Sequence, residues 1–118
     1  IEINKSAHFS AEKLKFDNNI RNLANILGDF YKKFDTLRDK FDTIVLDPTK
    51  KGCGKQVMQA IDGTENIIYI SCNPIALCKD LRVILDNYII EEIIPFDMFP
   101  NTENVETLVK LKRRIKWF

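Results

Sequence analysis

Apolar residues along the chain switch between two spacings, and the switches mark an alternation of strands and helices. Ile1–Ile3 reads as the end of a strand, and Ser6 is placed to cap a helix through "AHFSAEKLKFDNN", with Asn18 and Asn19 as its stop signal. "LANIL" at 23–27, closed by Gly28 and Asp29, reads as a short strand. Phe30, Phe34 and Leu37 then return at helical spacing. "FDTIVLD" at 41–47 is a β-branched run stopped by Asp47 and Pro48, a buried strand entering a loop. A helix is predicted around Lys55–Ile61, a fully apolar strand over 66–71, and a helix in "NPIALCKDLRVIL" with Ile75, Leu77, Leu81, Ile84 and Leu85 toward the core. "YIIEEIIPF" and "VETLVKLK" are the last two strands, joined by "DMFPNTEN". That link is too short for a crossover helix, so one of the two strands runs antiparallel to its neighbour. The expected fold is therefore α/β: a mostly parallel sheet, helices on both faces, and an antiparallel terminal hairpin.

Composition narrows this picture modestly. The chain has 118 residues, 45% hydrophobic and 30% charged, the balance of a soluble globular domain or part of one. No apolar run reaches the ~20 residues of a membrane-spanning helix. "IEINKSAHF" has neither signal-peptide nor transit-peptide character and reads as a strand already under way, so the chain is expected to begin inside a larger protein. The formal net charge of +1 excludes neither nucleic acid nor other partners. "TKKGCGK" at 49–55 and "KLKRRIK" at 110–116 are local basic patches suited to phosphates, although a solvated surface is the plainer reading of each by itself. Three cysteines without a CxxC pair, and one histidine, argue against a metal site and a disulfide scaffold and for reduced thiols in an intracellular protein.

The predicted layout is that of a Rossmann-like class I methyltransferase, and open α/β sheets bind ligands beyond the carboxyl ends of their parallel strands. Asp47 ends one such strand, Cys72 lies just past the next, and Glu106 stands near the start of the final, reversed strand. A carboxylate, a thiol and a second carboxylate are thereby expected at one sheet edge. Each also has an ordinary reading: cysteine is commonly packing, Asp-Pro commonly starts a turn, and Glu106 suits a solvent-facing strand position. Cys72 is set apart by preceding Asn73, Pro74 and a helix N-terminus, whose dipole favours a thiolate. Cys78, inside the helix, is expected in the core, and Cys53 lies in a Gly-flanked loop with no evident partner.

"YISCNPIALCKDL" resembles the catalytic cysteine motif of the S-adenosyl-L-methionine-dependent RNA 5-methyluridine (uracil-C5) methyltransferases, which act on tRNA and 23S rRNA. "LDPTKKG" resembles that family's Asp-Pro-Pro-Arg-x-Gly loop, and "DMFPNTENVETLV" its Phe-Pro-x-Thr-x-x-x-Glu segment. "IEIN" and "NNIRNLANILGD" resemble the stretch that holds the cofactor, so the likeness covers essentially the whole chain. The resemblance implies Cys72 as nucleophile and Glu106 as base, with Asp47 binding the target uracil and bordering the cofactor site. It further implies Glu2 on the cofactor ribose and Asp29 near the adenine, with no metal. Phe99 is a candidate stacking residue or, equally, a core aromatic.

Thr49 and Lys50 depart from the family's second proline and its arginine; lysine keeps the charge but loses the planar fork. The family's glycine-rich cofactor loop and N-terminal regions do not occur in this sequence. The expectation is thus a C-terminal portion of the catalytic domain, N-terminally truncated, whose partners are RNA and the missing N-terminal part of the same protein. A non-catalytic RNA- or protein-binding remnant of the fold is the alternative. An amino-methylating enzyme of the same fold fits poorly, because its loop carries an aromatic where Lys50 and Lys51 stand.

Overall fold

The computed structural model describes residues 1–115 and divides into two units, Ile1–Arg38 and a second from Asp39 onward. Lys116, the last residue of the second basic patch, lies outside the described residues.

In the first unit, α1 spans Lys5–Asp17. Its cap is Asn4 rather than the expected Ser6: the Asn4 side chain accepts from the Ala7 amide at 3.0 Å. Asn4 is the last residue with extended dihedrals, and only such a residue can turn its side chain back onto the first free amides. Ser6 is already inside the first turn. Asn18 and Asn19 end the helix as expected, Asn19 with φ 53°, a left-handed conformation asparagine tolerates. The segments 1–3 and 23–27 meet through one parallel bridge, Glu2 with Leu27, and do not form strands. With α1 starting at Lys5, the pairing cannot run on past Asn4. Helix α2 covers Phe30–Leu37, capped by Asp29, and buries Phe34, with the Phe30 ring 5.0 Å away and the Arg38 guanidinium 5.3 Å over its face.

The second unit is built on four strands: β1 Thr43–Leu46, β2 Asn66–Ser71, β3 Tyr88–Phe96 and β4 Glu106–Arg113. They hydrogen-bond in the order β1-β2-β4-β3. β1 pairs parallel with β2, whereas β4 is antiparallel to both β2 and β3. Three of the four strands therefore share one direction, as the helix–strand alternation predicts, and β4 alone reverses. Because β4 inserts between β2 and β3, two of the three pairings are nevertheless antiparallel.

Helices α3 (Lys55–Ile61) and α4 (Pro74–Leu81) connect the parallel part, followed by a short 3-10 turn at Leu85–Asn87. Alternate residues of the strands form the core: Ile44 and Leu46, Ile67 and Tyr69, Val109 and Leu111 lie on one face. Met58, Ile61, Leu77, Leu81 and Ile84 complete it from the helical side. Both faces were expected to be covered, but Val45, on the opposite face of β1, is 59% exposed, so burial within this unit is one-sided. Ile75 and Cys78 also depart from expectation, since both are exposed. The buried stripe of α4 runs through Leu77, Asp80, Leu81 and on to Ile84, and residues 75 and 78 fall off that stripe.

Candidate active site

Strand β2 delivers the chain to Cys72 and α4 carries it away, through a turn closed by short-range hydrogen bonds. The buried Ser71 hydroxyl donates to the Asn73 carbonyl at 2.9 Å and accepts from the Asn73 amide at 3.1 Å. The Asn73 side chain caps α4, accepting from Ile75 at 3.0 Å and Ala76 at 3.4 Å, and Pro74 opens the helix without wasting a donor. Between these anchors Cys72 is half-buried with a free thiol.

Asp47 and Glu106 reach the same edge by different routes. Leu46 pairs with Tyr69 in the parallel register, so Asp47 continues level with Ile70. Ser71 pairs with Thr107 in the antiparallel register, so Cys72 continues level with Glu106. Asp47 is exposed and Glu106 half-buried. Among the described residues no hydrogen bond or ion pair occupies the Asp47, Cys72 or Glu106 side chain, which leaves a thiol and two carboxylates open to a ligand.

One residue absent from the sequence-based set holds this edge together. Asp80 is buried on α4, and its Oδ2 accepts from the Cys53 amide at 2.6 Å and from the Tyr69 hydroxyl at 2.5 Å. Its Oδ1 accepts from the Gly54 amide at 3.1 Å. A buried carboxylate needs such donors, and here they fasten the loop after Asp47 to both β2 and α4. Asn73 adds a second tie, its Nδ2 donating to the Lys50 carbonyl at 2.9 Å. That contact uses backbone, which the Lys50 departure leaves intact. The signal for Asp80 was its place three residues after Leu77 on the apolar stripe of α4, where an acid demands partners.

Cys53, expected to lack a partner, instead lies beside Tyr69 and Asp80. Burial pushes its thiol up to about 11, partly offset by the Tyr69 hydrogen bond and reinforced by the Asp80 charge. Burial also raises the Tyr69 phenol, with the Asp80 hydrogen bond adding to the shift. Cys53 is therefore held as a neutral thiol. Phe99 is 45% exposed, in the loop between β3 and β4, and is not a core aromatic. Its carbonyl closes that loop by accepting from the Thr102 amide at 3.2 Å and hydroxyl at 2.7 Å.

In the first unit, Glu2 and Asp29 are brought close by the backbone. The Glu2 amide donates to the Ile26 carbonyl and the Gly28 amide donates to the Glu2 carbonyl, both at 2.9 Å, and Asp29 directly follows Gly28. One Glu2 carboxylate oxygen accepts from the Asn4 amide at 2.6 Å, and Asp29 caps α2 through Lys32 at 3.3 Å. Each carboxylate keeps a second oxygen for a hydroxyl or amine donor. Among the described residues, no group of three or more His, Cys, Asp or Glu side chains is placed to hold a metal ion, and no helix is long and apolar enough to cross a membrane.

The family model described as tRNA (Uracil-5-)-methyltransferase matches residues 5–114. An uncharacterized RNA methyltransferase of Clostridium tetani is 37% identical over 117 residues, covering 97% of this chain and 26% of the relative. A tRNA/tmRNA (uracil-C(5))-methyltransferase of a Sulfurovum species is 34% identical over 105 residues, covering 89% of this chain and 27% of the relative. The crystal structure of Pyrococcus abyssi tRNA (uracil-54, C5)-methyltransferase in complex with S-adenosyl-L-homocysteine superposes with a TM-score of 0.79 at 28% identity, over 92% of this chain and 26% of that one. The chain thus spans about a quarter of the length of these relatives.

Proposed function

Because the chain belongs to the tRNA (uracil-5-)-methyltransferase family, we propose that it carries the reacting groups of an RNA methyltransferase that modifies uridine at C5, in tRNA or rRNA. The observation that carries this reading is the shared level of Cys72 and Glu106, with Asp47 at the same edge.

Uracil C5 is a poor nucleophile until C6 is saturated. In the proposed reaction the Cys72 sulfur, as thiolate, bonds to C6, and the electron pair displaced from the C5–C6 double bond makes C5 enolate-like. C5 then takes a methyl group. Glu106 removes the remaining C5 proton, the C5–C6 double bond reforms, and the C6–S bond breaks to return the thiolate. Asp47 orients the uracil through its imide edge, and the base must leave its stack to enter the site. Phe99 is a candidate surface for stacking that base.

S-adenosyl-L-methionine supplies the electrophilic methyl group when bound. The chemistry of the residues fits it: Glu2 and Asp29 lie on neighbouring backbone segments, each with an unused acceptor oxygen suited to ribose hydroxyls or to the adenine amine.

The test is methyl transfer by the natural full-length protein. Transcribed tRNA and rRNA fragments are incubated with it and methyl-labelled S-adenosyl-L-methionine, then digested to nucleosides. Label in 5-methyluridine is the expected result; label confined to other nucleosides, or none, overturns the proposal.

A further inference from the structure

A groove of about 550 Å³ opens beside the Cys72 turn, its wall including Lys50, Lys51, Lys55, Asn73, Lys79 and Asp80. All four lysines are exposed, and none is engaged in an ion pair or hydrogen bond through its ammonium group among the described residues. The one acid in the wall is already committed, because both oxygens of Asp80 accept from Cys53, Gly54 and Tyr69. Four lysines less one carboxylate leave a formal +3 here, in a chain whose total is +1.

Such a concentration is unfavourable in the free protein, since like charges repel and the one acid in the wall offsets only one of the four. It is also presented from a fixed backbone. Asn73 holds the Lys50 carbonyl and Asp80 holds the Cys53 and Gly54 amides, so Lys50 and Lys51 sit on an anchored loop, Lys55 at the start of α3, and Lys79 on α4. Asn73, which lines the groove, is the residue next to Cys72.

We propose that this groove binds the phosphate backbone of the RNA strand immediately flanking the target nucleotide. The proposal rests on the reading of the Cys72 edge as an RNA-modifying site. An acidic polypeptide would satisfy the same charges but has no reason to lie beside the reacting thiol. A nucleotide held at Cys72 must be followed by its own phosphates, and the lysine groove is where the strand can continue. Ile75, exposed on the same wall, offers an apolar surface to sugar or base.

The test measures binding of a fluorescein-labelled 12-nucleotide oligouridine by the natural full-length protein across a salt series. Each phosphate contact on a single strand adds roughly 0.7 to the slope of log affinity against log salt. The triple variant Lys51→Ala, Lys55→Ala, Lys79→Ala is expected to lose about 2 from that slope and at least about tenfold in affinity at low salt. The corresponding triple Arg variant keeps the slope. Binding of S-adenosyl-L-homocysteine, measured by calorimetry, is expected to be unchanged and shows that the variants fold. An unchanged salt slope in the Ala variant overturns the groove, as does lysine-dependent binding of polyglutamate without such an effect on RNA. Methylation is scored separately: loss of slope with no 5-methyluridine in the parent protein would leave the groove standing and overturn the reaction.

Discussion

Cys72 and Glu106 stand level with each other at one edge of the sheet, because Ser71 pairs with Thr107 and the two strands run in opposite directions. Were β4 parallel to β2, Glu106 would begin its strand at the far edge, about six residues or ~20 Å from the cysteine. The reversal of one strand is what makes this thiol and this carboxylate neighbours.

That relationship predicts separate phenotypes for the two residues. In the full-length protein with RNA and methyl donor, Glu106→Gln should accumulate a covalent protein–RNA adduct, since the bond to C6 forms but the C5 proton stays. Cys72→Ala should form no adduct and lose methylation by at least about three orders of magnitude. Denaturing gels and labelled methyl transfer read the two outcomes; methylation surviving in Cys72→Ala would remove the nucleophile.

Asp80 should matter more to stability than its absence from the reacting set implies. Asp80→Ala strips acceptors from two amides and a buried phenol, at a cost of about 3 kcal/mol. Tyr69→Phe, which removes one donor, should cost about 1 kcal/mol. Urea unfolding checks the order, and equal midpoints for the two variants would contradict it.

Gly52 is required for the same anchor. Its φ is +78°, and a Cβ there would stand 2.6 Å from Asp80 Oδ2. Gly52→Ala should destabilise by about 2 kcal/mol through left-handed strain and displacement of that carboxylate. Trypsin should then nick the loop at Lys50 and Lys51 faster than in the parent protein; an unaltered cleavage rate would show that the anchor tolerates the methyl group.

The cysteines should separate by reactivity. With its thiol pushed up to about 11, Cys53 is roughly one part in a thousand thiolate at pH 8, so iodoacetamide should modify exposed Cys78 well before it. The same shift links to stability. The folded-state value lies above the ordinary thiol value of 9.0, so the contribution is complete below pH 9 and is lost as pH rises toward 11. Urea midpoints should fall over that window, and Cys53→Ala should flatten the fall.

Local pattern was enough to read the types and order of most elements. The helix at Lys55–Ile61 and the strands at 66–71 and 88–96 lie where the spacing predicts them, because periodicity and turn residues act within a few positions. The reversed last strand was legible as well, since a nine-residue link at 97–105 cannot make a crossover. The motifs around Asp47, Cys72 and Glu106 were visible for the same reason: each is a short, contiguous run.

What the sequence could not carry was anything set by partners distant along the chain. Periodicity says that α4 has a buried stripe but left Ile75 and Cys78 misplaced, because which side is buried depends on the sheet it meets. The parallel pairing of Glu2 with Leu27 cannot continue past Asn4 because α1 begins at Lys5. Asp80, 26 and 27 residues from the amides it holds, has no local signature beyond an acid on an apolar face. Only folding brings those amides to it, and burial then turns an ordinary aspartate into the fastening between the Asp47 loop and the Cys72 turn.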